Sequence, residues 1–246
     1  MTSRIKGWLG MAPGDEWAKR IERVGREAKL SQSTLKQSTQ TLIRQLLFSG
    51  VMIPGEIYSA NSLATHLGIS NSPAREAMMA LAANGLLEPV RNRGFRVVEL
   101  SEHDRFEVYE MRVLIEVEAV RQAAARDIGT EVIENIARLA RESIEALPAT
   151  NREPALPYLN ADHDFHMALV DAVGNSRWSK IVSNLRDESR VNGAYRHLED
   201  NQGLQHSAQE HIEIAQAIRD RDPEKAAALM LKHLEYARPH GYPPAN

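Results

Sequence analysis

The chain has 246 residues, 43% of them hydrophobic, a formal net charge of −3 and no cysteine. That length allows one large or two modest domains with a sizeable core, and the missing cysteines exclude a disulfide framework and a thiolate metal site. No apolar run approaches the roughly 18 residues that cross a bilayer, and the N-terminus carries Arg4 and Lys6 without an apolar stretch, so a cytoplasmic protein with no membrane partner is expected.

Residues 1–37 are polar and only partly periodic. Asp15 to Lys29 can form a helix with Trp17, Ile21 and Val24 on one side, bounded by Gly14 and weakened by Gly25. This segment reads as an N-terminal arm. Either it is a partly disordered leader, or it packs on a partner subunit or meets DNA phosphates through Arg20, Arg23 and Arg26. From Ser38 to Gly50, Leu42, Ile43, Leu46 and Leu47 mark a first helix, and Pro54-Gly55 turns the chain. A second helix starts near Ser59, buries Leu63, Ala64 and Leu67, and stops at Gly68. A third has Ser70 or Ser72 as N-cap and Pro73 in its first turn. Its residues Ala74, Ala77, Met78 and Leu81 make one buried stripe, while Asn71, Ser72 and Arg75 stand on the other face. After Gly85, the runs Leu86–Val90 and Phe95–Val98 flank Arg91-Asn92-Arg93-Gly94, a hairpin with a basic tip. Such a pair of helices is a helix–turn–helix whose second member can enter a DNA major groove, and a basic hairpin beside it is a wing.

Ser101 is the N-cap of the next helix, and from there onward no convincing strand is found. Helical stretches fall at about 102–127, 129–147, 154–173, 176–197, 204–220 and 222–238, broken at Gly129-Thr130, Pro148 to Pro157, Gly174-Asn175, Gln202-Gly203 and Asp222-Pro223. Six amphipathic helices without strands predict an all-α antiparallel bundle. The expected organisation is a mostly α chain: an arm over 1–37, a winged helix–turn–helix over 38–100, a helical effector-binding and dimerisation domain over 101–238, and a tail over 239–246. Charge divides along the same line. Residues 1–100 carry 13 Lys+Arg and 8 Asp+Glu, net +5, whereas residues 101–246 carry 17 and 25, net −8. A basic end joined to an acidic domain suits a nucleic-acid reader coupled to a separate function.

Within the second domain, Asp162 and His166 are four residues apart and share one helix face. His211 stands 11 residues before Asp222 and His233 11 after it, so an antiparallel hairpin brings them level. One carboxylate and three imidazoles form an N₃O set suited to Zn²⁺, and also to Ni²⁺, Mn²⁺ or Fe²⁺. The alternative is a group of buried histidines that hydrogen-bond carboxylates in a core. His163 points about 100° away from Asp162 on the helix, and His197 and His206 lie near the 197–204 connection. These three read as surface or outer-lying groups.

Residues 38–98 resemble the winged helix–turn–helix of GntR-family transcription regulators. The resemblance is carried by Pro54-Gly55, Leu63-Ala64, Leu67-Gly68-Ile69-Ser70, Pro73-Ala74-Arg75-Glu76-Ala77-Met78, Gly85-Leu86 and Asn92-Arg93-Gly94-Phe95, in the family's order. The second half resembles the FCD domain found in one GntR subfamily. Its matching residues are Arg112 and Glu116, then Asp162, Phe165 and His166 before Gly174-Asn175, then Glu210-His211 with Ile214 and Ala217, and finally His233-Leu234.

The resemblance implies that Asp162, His166, His211 and His233 are the ligands of a divalent metal, with Zn the first choice and Ni, Mn or Fe the alternatives. It implies a small organic acid as effector, with Arg112 the first choice to pair with its carboxylate and Arg186, Arg190 and Tyr195 further candidates. A structural ion pair between Arg112 and Glu116 is the alternative. It also implies a homodimer on a pseudo-palindromic operator, with repression as the default sign and no enzymatic activity. Asn61, Asn71, Ser72, Arg75, Arg93 and Gly94 are the expected DNA contacts. The family usually has arginine where Asn71 stands and often near Asn61, and asparagine favours adenine where arginine favours guanine. A metal acting purely as a staple or as the sensed signal is the competing reading, with a metal-dependent enzyme behind it.

Overall fold

The computed structural model describes residues 35–149, 155–193, 201–239 and 242. It divides into two compact units, one ending at Val98 and the next beginning at Glu99. Most of the arm expected over 1–37, and most of the tail after residue 238, lie outside the described residues.

In the first unit, α1 (Leu35–Phe48) buries Leu42, Ile43, Leu46 and Leu47, as its apolar spacing requires. Ser59 caps α2 (Ala60–Leu67) by accepting from the Ser62 amide, and Gly68 ends it at φ 65°. Only a left-handed residue closes the helix there, which is why glycine occupies the position. Ser70 is the N-cap residue of α3 (Asn71–Ala83), although its side chain makes no capping hydrogen bond. Ser72 Oγ instead donates to Glu76 Oε1 at 3.0 Å. Ala74, Ala77, Met78 and Leu81 are the buried stripe of α3.

The hairpin consists of β2 (Leu87–Val90) and β3 (Gly94–Val97), and a two-residue strand, β1 (Ile57–Tyr58), joins it in the order β1-β3-β2, all antiparallel. Two residues are too few to display an alternating pattern, so β1 left no signal in the sequence.

Every regular element among the described residues of the second unit is helical. Ser101 and Asp104 form a reciprocal capping box at the start of α4 (Glu102–Arg112). A π turn, Val113–Val117, then leads directly into α5 (Glu118–Ala125), so the expected straight helix carries a wide turn in its middle. Beyond it come α6 (Thr130–Glu145), α7 (Leu156–Asp171), α8 (Ser176–Val191), α9 (Asn201–Arg219) and α10 (Pro223–Leu234), with a 3₁₀ turn over Glu235–Ala237. Asp222 caps α10 through the Lys225 amide. Helix α9 packs on α6 and α10, α7 on α6 and α8, and α10 on α5. Tyr109, Phe165, Leu169, Ile214, Ile218, Met230 and Leu234 form the shared core. Each large apolar side chain there contributes about 1.5–3 kcal/mol. Among the described residues, no helix is long and apolar enough to cross a membrane.

Candidate metal centre and nucleic-acid face

Helix α7 presents Asp162 and His166 one turn apart toward the core, and α9 and α10 supply His211 and His233 from the facing hairpin. All four are buried, and one ligand atom from each lies within 4.8 Å of the others. His166 Nε2 is 3.0 Å from His233 Nε2. Asp162 Oδ1 is 3.6 Å from His166 Nε2 and 3.5 Å from His211 Nε2.

The outward nitrogens explain this orientation. His166 Nδ1 donates to Glu116 Oε2 at 2.5 Å, and His233 Nδ1 donates to Glu210 Oε2 at 2.9 Å. Ser143 Oγ donates its own proton to Ala140 O at 2.7 Å and so accepts from His211 Nδ1 at 2.9 Å. Each Nδ1 therefore carries hydrogen, and each Nε2 turns a lone pair inward. Two such lone pairs at 3.0 Å repel unless a proton or cation lies between them. His211 Nε2 is buried and makes no hydrogen bond. The donor set thus fits a divalent cation held by Asp162 Oδ1 and three Nε2 atoms.

Electrostatics keep the donors in the states a cation needs. Burial opposes the Asp162 charge, but the Arg186 guanidinium holds its carboxyl well below the usual range. Burial likewise opposes the charge of Glu116, which Arg112, His166 and Arg186 together hold low. Burial drives His166 well below the ordinary imidazole value, and Arg186 pushes the same way. Burial lowers His211 to about 4, partly opposed by Asp162. Burial raises Glu210, but its hydrogen bond to His233 brings it to about 2. At neutral pH His166 and His211 are neutral and the carboxylates charged.

The effector candidates fall in two groups. Arg112 is fully buried, with Nε donating to Glu116 Oε1 at 2.7 Å and Nη2 to the Tyr236 hydroxyl at 3.3 Å. Arg186 donates to Asp162 Oδ2 at 2.5 Å and to Glu116 Oε2 at 3.2 Å. Both belong to the network around the four donors. Arg190 is half-buried and binds Leu159 O at 3.3 Å and Asn160 Oδ1 at 3.1 Å, at the start of α7. Tyr195 and His197 lie outside the described residues. His206 is exposed and sits 3.1 Å from Glu210 Oε1. His163 is half-buried. Ser143 was missed from the sequence, because a serine on a helix gives no sign of which histidine it will meet. Glu210, beside His211 in the chain, serves His233 instead.

In the first unit, one groove is lined by Asn61, Asn71, Arg75, Met79, Arg91, Asn92, Arg93 and Gly94. It gathers five of the six expected DNA contacts. Ser72 is exposed but does not line it. Arg75, Arg91 and Arg93 are exposed cations between the start of α3 and the hairpin tip. Gly94, at φ 130°, has a structural reason to be glycine, since a Cβ would lie 2.3 Å from the Tyr58 carbonyl oxygen. Met79 and Arg91 also line the groove and were not singled out as contacts, an exposed methionine carrying no charge signal.

Residues 35–97 match the bacterial regulatory proteins of the gntR family, and residues 107–236 match the FCD domain, more than half of the chain. The Nta operon transcriptional regulator of Aminobacter aminovorans is 29% identical over 182 residues, covering 74% of this chain and 82% of that protein. The HTH-type transcriptional repressor GlaR of Escherichia coli is 26% identical, covering 76% and 87% respectively. The solved structure of E. coli McbR/YncC has the same fold, with a TM-score of 0.71 at 17% identity over 83% of this chain and 95% of that one. The chain belongs to the GntR family of bacterial transcription regulators, in the group whose second half is an FCD domain.

Proposed function

We propose that this regulator acts in the cytoplasm as a homodimeric repressor whose two α3 helices read the half-sites of a pseudo-palindromic operator. A small carboxylic acid entering a metal-assisted pocket in the FCD domain releases it. The observation that carries the effector half is the convergence of three Nδ1-anchored imidazoles and Asp162 on one buried point. Asp162, His166, His211 and His233 would hold the metal, with Zn²⁺ first and Ni²⁺, Mn²⁺ or Fe²⁺ also suited to the donors. A bound ion supplies a Lewis-acid anchor for a carboxylate oxygen. Arg112 and Arg186, in the same network, add positive charge beside it.

Two-fold presentation of recognition helices is what a pseudo-palindrome matches. Arg75 is assigned to a guanine edge or nearby phosphate, Ser72 to a phosphate, Asn61 and Asn71 to adenine edges, and Arg93 with Gly94 to the minor groove or backbone beside them. The repressor sign follows the names of relatives such as GlaR. A second reading, a purely structural metal, is favoured by the complete burial of all four donors.

The test begins with selection of binding sites from random duplex DNA, followed by affinity measurements on the selected site. A panel of carboxylic acids is then added to Zn²⁺-loaded and to chelator-treated protein. An acid that weakens DNA binding about 5- to 150-fold, the usual range of allosteric coupling, only in the loaded protein is the expected result. Chelator treatment that unfolds the protein favours the structural metal. Full DNA affinity with every acid overturns the effector reading.

A further inference from the structure

The second unit spends five residues, Val113–Val117, on a π turn. Such turns are rare, occur mostly as single turns inside α-helices and are frequent at functional sites. Here the turn seats Val113 in the core around Phe165 and Ile115 against Val170 and Val182. Leu114 is 67% exposed, whereas Glu116 is only 1% exposed and continues the buried stripe of Tyr109, Arg112 and Val120.

Glu116 closes a buried ring. Its Oε2 accepts from His166 Nδ1 at 2.5 Å and from Arg186 Nη1 at 3.2 Å. Arg186 Nη2 donates to Asp162 Oδ2 at 2.5 Å, and Asp162 Oδ1 faces His166 Nε2 at 3.6 Å. Two inward donors of one helix, Asp162 and His166, are thus tied behind by one carboxylate and one guanidinium. A buried charge cluster of this kind is weak as a source of stability, because desolvation offsets its attraction. Its effect is geometric. Arg186 occupies one oxygen of Asp162 and leaves the other aimed at the imidazoles, while Glu116 fixes the ring plane and tautomer of His166.

We propose that Glu116 and Arg186 are positioning residues of the metal centre. Arg186, on this view, holds Asp162 to ligation through a single oxygen. The inference rests on the metal reading above.

Co²⁺ is the probe, titrated into chelator-stripped full-length protein and followed by its visible absorption, with the thermal unfolding of each metal-free variant measured alongside. Arg186→Lys keeps the charge but cannot fork across two carboxylates. Glu116→Gln keeps the shape but loses the charge. Each is expected to bind Co²⁺ about 10- to 100-fold more weakly, as loss of an outer partner does, with an altered spectrum. In the double variant Glu116→Gln/Arg186→Gln the net buried charge is unchanged, but Arg112 loses Glu116 and Asp162 loses Arg186 as ion partners. It is expected to unfold below the wild-type temperature and to keep the weak Co²⁺ binding. Wild-type affinity and spectrum in Arg186→Lys, or recovery of both stability and affinity in the double variant, would reduce the pair to an ordinary ion pair and overturn the proposal. Absence of Co²⁺ binding in the wild-type protein would instead defeat the metal reading on which it stands.

Discussion

Glu188, on α8 two residues beyond Arg186, is half-buried, and burial together with Asp187 pushes it up from 4.5 to about 7. A carboxyl raised in the folded state contributes stability that is complete below 4.5 and lost as pH rises toward 7. Glu188→Gln removes that loss. The variant is expected to be more stable than wild type at pH 8 by on the order of 1 kcal/mol, after allowance for solvent screening at a half-exposed group, with the gain fading toward pH 4; denaturant unfolding at the two pH values checks it. Nothing in the sequence foretold this residue, because its surroundings arise from packing. The four candidate metal donors were more legible. A spacing of four brought Asp162 beside His166, and equal distances from Asp222 brought His211 level with His233. Arg112 and Arg186 were legible as charges but not in their partners, since Glu116 meets Arg186 across 70 residues of chain.

Helices with strong caps and long apolar stripes were readable nearly to the residue. Ser59 and Gly68 bound α2, Ser101 starts α4 and Asp222 starts α10, each through a hydrogen bond or a backbone angle that few other residues supply. Two elements escaped, β1 for its shortness and the π turn because its residues, VLIEV, suit an ordinary helix equally well. Gly94 links the legible hairpin to the hidden strand. It was expected as a DNA contact, yet it sits where β3 pairs with Tyr58 and where a Cβ would meet the Tyr58 carbonyl oxygen at 2.3 Å. Gly94→Ala must therefore shift β1 or strain the backbone, at a cost of about 1–3 kcal/mol. The expected outcome is a lower unfolding temperature with DNA affinity reduced through a displaced hairpin tip. An unchanged unfolding temperature would mean that the strand pairing tolerates the methyl group.

Across the whole chain, the contrast between a net charge of +5 over residues 1–100 and −8 over the remainder agrees with a division of labour between DNA reading and sensing. Exposed arginines gather at the groove of the first unit, while the charges that matter in the second are buried in pairs. The fold class followed from helical periodicity and the hairpin signal. The network of outer partners did not, because it depends on which faces of six separate segments come together around one point. That point carries the central claim, and metal analysis of the purified protein beside His211→Ala/His233→Ala, with thermal-shift measurements against carboxylic acids on both, tests it most directly. The expected result is one divalent ion per wild-type chain, absent from the double variant together with any acid-specific stabilisation. A wild-type protein that takes up no Zn²⁺ when supplied with it, and acids that stabilise both proteins equally, would contradict the account.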